Sequence, residues 1–131
     1  MADLPDYGEE ILGAYSTGEW SAKEGSAKVE CISASIAAAT YFNILDYTVP
    51  AGKTAYVKDI FISGRAICEA FLIIAANTVF DQYIDAYFPY GHAFSLPHKA
   101  KAGELIRVRI GNLSAAAAWF AASISFWERT E

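Results

Sequence analysis

The most constraining feature of this sequence is a turn between two runs of residues with high β-propensity. The turn is Pro-Ala-Gly-Lys at positions 50–53, and a β-branched and aromatic run follows it at positions 54–63. Proline presets φ at the second position of a type II turn, and glycine accepts the positive φ of the third. We therefore expect Pro50 and Gly52 to occupy those two positions. A fainter copy of the unit lies at positions 99–110, where Ala-Gly again precedes an alternating strand.

Alternation of apolar and polar residues continues from residue 28 to the end of the chain, and long helical periodicity is absent. Turn signals recur at roughly the 8–12-residue spacing typical of a sandwich or barrel. The stretch at 88–97 is rich in Pro, Gly and aromatic residues, so we expect it to be irregular, with a short edge strand near its end. The predicted strands are 28–36, 41–49, 54–63, 69–76, 79–87, 95–98, 104–110 and 117–127.

These strands predict an all-β fold, an antiparallel β-sandwich of about eight strands. A jelly roll is the first choice and an immunoglobulin-like sandwich the second. The Cys…Trp…Cys signature of antibody domains is missing, because no Trp lies between Cys31 and Cys68. A chain of 131 residues is one domain by size.

Residues 1–27 differ from the rest of the chain, because they are acidic, rich in glycine and without sustained periodicity. We predict an extended N-terminal arm over 1–27 and a β-sandwich domain over 28–131. A short helix at 6–14 is the alternative. The arm is too apolar to be a purely solvated tail, so we expect its large residues to contact its own sandwich or a partner subunit. These predicted contact residues are Ile11, Leu12, Tyr15 and Trp20.

Composition and charge narrow the classes of partner. The chain is 54% hydrophobic and only 19% charged, which favours burial of some apolar side chains against another subunit. A net charge of −5 with scattered basic residues argues against nucleic-acid binding. No run of eighteen apolar residues predicts a membrane span, and the acidic start lacks the features of a signal peptide. We expect synthesis in the cytoplasm.

Residues with catalytic or metal-binding chemistry are sparse. His92 and His98, with Asp81 and Asp85 upstream, could supply two imidazoles and a carboxylate, but the His-x-His spacing of jelly-roll metalloenzymes is absent. We interpret both histidines as loop residues bonded to backbone. The two aspartates are about 13 Å apart along a strand, farther than either glycosidase geometry requires. We predict no enzyme activity, no cofactor and no metal ion.

Three other local patterns are interpreted as structural. Gly-Lys-Thr at 52–54 lacks the upstream glycine and the helix of a phosphate-binding loop. Asn112-Leu-Ser matches a glycosylation sequon by chance. Cys31 and Cys68 could form a disulfide, but buried free thiols on strands suit a cytoplasmic chain better.

An aromatic cluster around residues 83–94 supports a second hypothesis. Carbohydrate-binding sandwiches combine aromatic rings that stack on sugars with polar groups that bond hydroxyls. The alternative is hydrophobic capping or a subunit contact, which aromatic residues also favour. The possible glycan-binding residues are Asp81, Tyr83, Asp85, Tyr87 and Tyr90.

An alanine run at 115–118 precedes two large aromatic residues. Small side chains permit close approach of another layer, so the run belongs either to a core strand or to a strand at a symmetry axis between identical subunits. The predicted subunit-contact residues here are Ala116, Ala118, Trp119 and Phe120.

Two segments carry a family resemblance. Tyr-Thr-Val-Pro-Ala-Gly-Lys-Thr-Ala-Tyr-Val-Lys-Asp-Ile at 47–60 and Ala-Lys-Ala-Gly-Glu-Leu-Ile-Arg-Val-Arg-Ile at 100–110 resemble small β-sandwich virion proteins of tailed bacteriophages and related viruses. In those head-decoration and tail-associated jelly rolls, a "VPAGK" turn and a later "AGE-x-I-x-V" turn recur. The resemblance implies assembly into a particle, commonly as a trimer, with an N-terminal arm that contacts other subunits. It implies no catalytic residues.

The sequence therefore predicts a structural virion protein, such as a capsid decoration or cement protein. Its predicted partners are copies of itself, as a homo-oligomer and probably a trimer by resemblance, and other particle proteins. Its predicted location is the virion. The alternative is a carbohydrate-binding module or receptor-binding head that uses the aromatic loop.

Overall fold

We analysed a computed structural model of the chain, which describes residues 25–86 and 89–130. The described residues form eight strands and no helix, so none of their elements is a helix that could cross a membrane. The strands are β1 (Gly25–Ile36), β2 (Tyr41–Thr48), β3 (Lys53–Gly64), β4 (Cys68–Ile74), β5 (Asn77–Ile84), β6 (Tyr90–Ala100), β7 (Leu105–Asn112) and β8 (Ala118–Thr130).

The strands form two four-stranded antiparallel sheets packed as a sandwich. Sheet A has the order β1-β8-β3-β6 and sheet B the order β2-β7-β4-β5. The first four strands alternate between the sheets in pairs with the last four, which is the jelly-roll arrangement of two Greek keys. The predicted all-β, eight-stranded jelly roll is confirmed, and the immunoglobulin-like alternative is wrong because its sheets have a different strand order.

The core lies between the sheets and is supplied by alternate residues of each strand. On β7, Ile106, Val108 and Ile110 are fully buried, and on β8 Ile124 and Phe126 are fully buried, as their alternation predicts. Burial of apolar surface on the two inner faces is the main stabilising contribution to such a sandwich.

The two predicted glycine turns adopt the same geometry. The Lys53 N–H donates to the Pro50 carbonyl at 3.1 Å, and the Glu104 N–H donates to the Lys101 carbonyl at 3.0 Å. Gly52 and Gly103 hold the positive φ values, 77° and 83°. Glycine thus occupies the third position, as predicted, but Pro50 is at the first position of its turn rather than the second.

The structure corrects the prediction that 88–97 is irregular. Residues 90–100 form a strand, β6, paired with β3. His98 pairs with Val57 and Ala93 pairs with Asp59, so residues 94–97 bulge opposite Lys58. Pro97 lies inside this bulge, where the backbone needs no ladder donor. At the other boundary, β1 begins at Gly25, so residues 25–27 belong to the first strand rather than to the predicted arm.

Two buried polar side chains fasten the sandwich. Glu128 of sheet A accepts a short hydrogen bond from the Tyr47 hydroxyl of sheet B and forms an ion pair with Lys28 at 3.4 Å. Asn112, fully buried, donates to the carbonyls of Ile36 and Ala116, both at 2.9 Å. The Asn112 carbonyl oxygen accepts from the amide and hydroxyl of Ser114. The sequon is therefore a structural turn whose asparagine is inaccessible.

The cysteines are both unpaired, as we expected, but only one is buried. Cys68 lies in the core, and burial raises its pKa to about 11. Cys31 is exposed on β1, which corrects the prediction of two buried thiols.

Candidate functional site

The outer surface of sheet A is the first candidate site. Strand register places the outward side chains in rows, and one such row is Cys31, Ser123, Phe61 and Gly91. We call this surface face A. Its residues are Val29, Cys31, Ser33 and Ser35 on β1, Trp119, Ala121, Ser123 and Ser125 on β8, Asp59, Phe61 and Ser63 on β3, and Gly91 and Ala93 on β6.

Face A is a smooth surface with three apolar projections. Val29 is 67% exposed, Phe61 47% and Trp119 59%. The positions between them hold serine, alanine, glycine or cysteine, none of which can cover a large neighbour. A Cβ on Gly91 would lie 3.3 Å from the Phe61 ring, so glycine lets that ring lie against β6. Large apolar side chains exposed on a flat surface are typical of a contact site.

An open groove of about 430 Å³ lies beside Trp119 at one end of face A. The Arg65 N–H donates to the Trp119 carbonyl at 3.2 Å, which fixes the loop that forms one wall. The groove gives face A relief into which a projecting side chain can fit. Its lining residues are Ser33, Ser63, Gly64, Arg65, Pro89, Trp119, Phe120 and Ala121.

The predicted subunit-contact residues divide into three groups. Ala116 and Trp119 are exposed and Ala118 is half-buried, so their side chains are accessible in the monomer. Phe120 is in the core between the sheets, where it leaves no surface for a partner. This corrects its assignment and follows from alternation, because Trp119 and Phe120 point to opposite sides of β8. Ile11, Leu12, Tyr15 and Trp20 lie outside the described residues.

The outer surface of sheet B, which we call face B, is the second candidate. One of its rows consists of Tyr41, Gly111, Glu69 and Tyr83. A Cβ on Gly111 would lie 2.5 Å from the Tyr41 ring, so that ring lies flat over the glycine. The Tyr41 hydroxyl donates to Glu69 at 2.8 Å, and this hydrogen bond is the main cause that raises the pKa of Tyr41. Tyr83 is 66% exposed.

The next rows of face B carry long polar side chains that bond to one another. Arg107 donates two hydrogen bonds to the Asp46 carboxylate, at 2.7 and 3.1 Å. Arg109 donates to the Asn43 side-chain oxygen at 2.8 Å. The other outward positions of face B are Thr48, Leu105, Phe71, Ile73, Thr78 and Asp81.

The structure separates the residues predicted to bind glycans. Asp81 and Tyr83 share face B, and Asp85 is exposed just after β5. Tyr90 is on the other sheet, and Tyr87 lies outside the described residues. The five residues therefore do not form the predicted single cluster. Sequence reasoning missed Tyr41 and Glu69, because their proximity to Tyr83 depends on the register of four strands.

Tyr90 instead belongs to an aromatic cluster between the edge strands β5 and β6. Phe80 on β5 lies with its ring centroid 6.1 Å from Tyr90, 5.0 Å from His92 and 5.8 Å from Phe94. Phe94 also contacts His98, at 4.6 Å. These rings close one side of the sandwich, so capping describes this cluster better than sugar binding.

Both histidines are therefore strand residues rather than the loop residues we expected. Burial, with a smaller contribution from His92, lowers the pKa of His98, so its imidazole is neutral at pH 7. Within residues 25–86 and 89–130, no three His, Cys, Asp or Glu side chains are grouped so that they could hold a metal ion.

Comparison with known proteins gives similarity of fold alone. The sequence matches no protein-family model and no curated protein. A pilus protein of Bacillus endospore appendages is similar over 82% of this chain and 90% of its own, with 15% identity and a TM-score of 0.51. A chain of the cyanophage Pam1 capsid is similar over 80% of this chain and 86% of its own, with 17% identity and a TM-score of 0.50.

A third similar structure is the dimeric latent PorU of Porphyromonas gingivalis. The similarity covers 82% of this chain but 13% of PorU, with 10% identity and a TM-score of 0.52. At these identities the similarity shows a shared β-sandwich and transfers no activity.

Proposed function

We propose that this chain is a structural subunit that assembles with copies of itself, as a virion component such as a capsid decoration protein. The observation that carries the proposal is the exposure of Val29, Phe61 and Trp119 on a face otherwise made of small side chains. The proposal includes no catalytic role.

The chemistry of face A suits contact with another protein surface. Stacked sheets approach to about 10 Å when the side chains between them are complementary. Each Å² of apolar surface removed from water contributes about 25 cal/mol, and a specific interface needs about 1,000 Å² in total. Because self-contacts of soluble proteins usually close by symmetry, a ring such as a trimer would use the same patch on every subunit.

Two further observations support a particle rather than another oligomer. The glycine turns that carry the resemblance to virion jelly rolls adopt matching geometry at Gly52 and Gly103. The Pam1 capsid chain also has this fold over most of its length. Neither observation identifies the particle, so the virion location and the partner proteins are part of the proposal.

The test is the solution mass of the purified chain by light scattering over a range of concentrations. We expect a stable trimer or larger closed assembly for the wild type, and a monomer after combined Phe61→Ser and Trp119→Ser. Tyr83→Ser, which removes an equally exposed aromatic residue from face B, is the matched control and should keep the wild-type mass. A wild type that stays monomeric at high concentration, or a control that dissociates equally, would overturn the proposal.

A carbohydrate-binding role is the second candidate, and the row of Tyr41, Glu69 and Tyr83 on face B favours it. Two aromatic rings beside a carboxylate offer stacking surfaces and a hydrogen-bond acceptor for sugar hydroxyls. A glycan array with the wild-type chain tests this role. Retention that Tyr83→Ala removes and Phe61→Ser preserves would support it, and a blank array would dispose of it.

A further inference from the structure

Two large side chains on the outer side of sheet A are buried although they face away from the core. Val57 and Phe126 pair across β3 and β8 and belong to the cluster between the sheets. The next pair, Tyr56 and Trp127, points the other way and does not belong to that cluster. Tyr56 is nevertheless only 2% exposed and Trp127 only 5%.

The strands around this pair do not explain its burial. In the same row, Ala27 is small and exposed, and Lys99 is exposed with its Nζ 5.9 Å from the centre of the Tyr56 ring. On face A, small neighbours of the same kind leave Phe61 and Trp119 about half exposed. Burial of Tyr56 and Trp127 therefore requires a further layer of chain over this end of sheet A.

The position of β1 indicates which segment supplies that layer. β1 begins at Gly25, which pairs with Arg129, and Arg129 pairs in turn with Thr54. This row is next but one to Tyr56 and Trp127, and Thr54 is also buried on the outer side. The 24 residues before Gly25 can span up to about 80 Å when extended, whereas four strands are only about 15 Å wide.

Charge favours the same segment. Residues 1–24 contain six acidic residues and one lysine, a net charge of −5, whereas residues 25–130 contain nine basic and eight acidic residues, a net charge of +1. Basic side chains surround the buried pair, namely Lys99 beside Tyr56 and Arg129 and Lys53 at the start of the sheet. An acidic segment with apolar residues matches a basic surface with an apolar centre.

We propose that residues 1–24 fold back over the outer side of their own sheet A and cover Tyr56 and Trp127. Apolar side chains of the segment, among them Ile11, Leu12 and Tyr15, pack on the pair, and its carboxylates face Lys99 and Arg129. The segment thereby covers the end of the sheet where the chain starts and leaves Val29, Phe61 and Trp119 on face A open to a second subunit. This proposal does not depend on the proposed function, because the contact lies within one chain.

The fluorescence of Trp127 in the full-length chain tests the proposal. Replacing Trp20 and Trp119 by Phe leaves Trp127 as the single tryptophan. We expect its emission to be weakly quenched by acrylamide. Combined Ile11→Ser, Leu12→Ser and Tyr15→Ser in that background should raise the quenching constant several-fold. Leu113→Ser, which changes an exposed leucine at the opposite end of the sandwich, should leave it unchanged.

Two results would overturn the proposal. Unchanged quenching after the triple serine substitution would mean that another part of the chain covers Trp127. Quenching that rises on dilution of the unsubstituted single-tryptophan chain would mean that a second copy supplies the cover. As a second variant, Lys99→Glu should raise quenching and Lys101→Glu, at the exposed β6–β7 turn, should not; equal effects would also count against the proposal. None of these readouts depends on the mass of the assembly, so each proposal can fail while the other stands.

Discussion

Face A and face B are carried by sheets of the same size and strand direction, but their surfaces are chemically opposite. Face A consists of small side chains from which Val29, Phe61 and Trp119 project into solvent. Face B carries long polar side chains that bond to one another, such as Arg107 to Asp46 and Tyr41 to Glu69. A surface whose polar groups are already paired is complete in water, whereas face A exposes apolar groups that its small residues cannot cover.

The difference shows where the apolar excess of the sequence lies. A composition of 54% hydrophobic residues is more than the inter-sheet core alone requires. Part of the excess is on one outer face rather than distributed evenly, and scattered exposed apolar residues would carry no such meaning. Self-assembly and sugar binding, the two candidate functions, therefore belong to opposite sides of the molecule and can be tested separately.

The largest expected effect is a steric and charged block at the centre of face A. Ala121→Arg places a long cation between Trp119 and Ser123, where a partner would have to desolvate it. We expect self-association to weaken by at least ~30-fold, equivalent to the ~2 kcal/mol of a central interface residue. Sedimentation or light scattering over a concentration series measures the change.

The control is Thr78→Arg on face B, which adds the same side chain to an exposed strand position. We expect it to leave association unchanged. If both substitutions dissociate the assembly alike, the contrast between the faces does not determine the contact.

The next effect separates stability from association. Tyr47→Phe removes the hydroxyl that donates to Glu128, a carboxylate buried between the sheets. A buried charged group that loses a partner costs about 1–3 kcal/mol of unfolding free energy, which urea denaturation can measure. Tyr41→Phe removes the matching hydroxyl–carboxylate bond on face B, where water can replace it, so its effect should be smaller. Equal losses would show that burial of Glu128 is unimportant.

The same pair predicts a loss of stability at high pH. Burial, followed by the hydrogen bond to Glu128, raises the pKa of Tyr47 above its ordinary value of 10.0. Above pH 10, unfolded chains lose this proton while the folded chain retains it, so the folded state binds more protons and stability falls as pH rises. The unfolding free energy of the wild type should therefore decline above pH 10 more steeply than that of Tyr47→Phe. Parallel declines would contradict the assignment to Tyr47.

Local chemistry made the turns and the core predictable. Glycine at positions 52 and 103 indicates positive φ because other residues adopt it at a cost, and both glycines do so. Strict alternation on β7 and β8 identifies Ile106, Val108, Ile124 and Phe126 as core residues without any knowledge of the fold. These features depend on a few neighbouring residues, which a single sequence contains.

The features that the sequence did not predict depend on contacts distant along the chain. β6 was missed because Pro97 and Gly91 indicate irregular structure, while pairing with β3 accommodates Pro97 in a bulge. Tyr41 and Glu69 meet on face B only through the order of the strands in sheet B. The glycan-binding prediction failed as a cluster for the same reason, since Tyr83 and Tyr90 are near in sequence but lie on different sheets.

A smaller effect is expected at the turn that joins β4 to β5 beside face B. Ala75 and Ala76 both hold positive φ there, 51° and 67°, where the two other hairpin-like turns use glycine. Because an L-residue in this region is strained by about 1 kcal/mol, Ala76→Gly should stabilise the chain by up to ~1 kcal/mol. Ala51→Gly, at a turn position without positive φ, should instead destabilise it slightly. Thermal unfolding distinguishes the two, and a loss of stability in both variants would contradict the strain.

The smallest effect should come from the ion pair that best represents face B. Asp46→Asn removes the carboxylate that Arg107 bonds twice, but both side chains are solvated, and paired surface charges of this kind contribute little to stability. We expect a smaller loss than the change at Ala76, and salt should remove the difference from the wild type because it screens exposed charges. Thermal unfolding at low and at 1 M salt, with Asp59→Asn on face A as the comparison, measures this. A loss as large as that of Tyr47→Phe would mean that face B stabilises the sandwich through its charges, and the view of face B as a solvated surface would then be wrong.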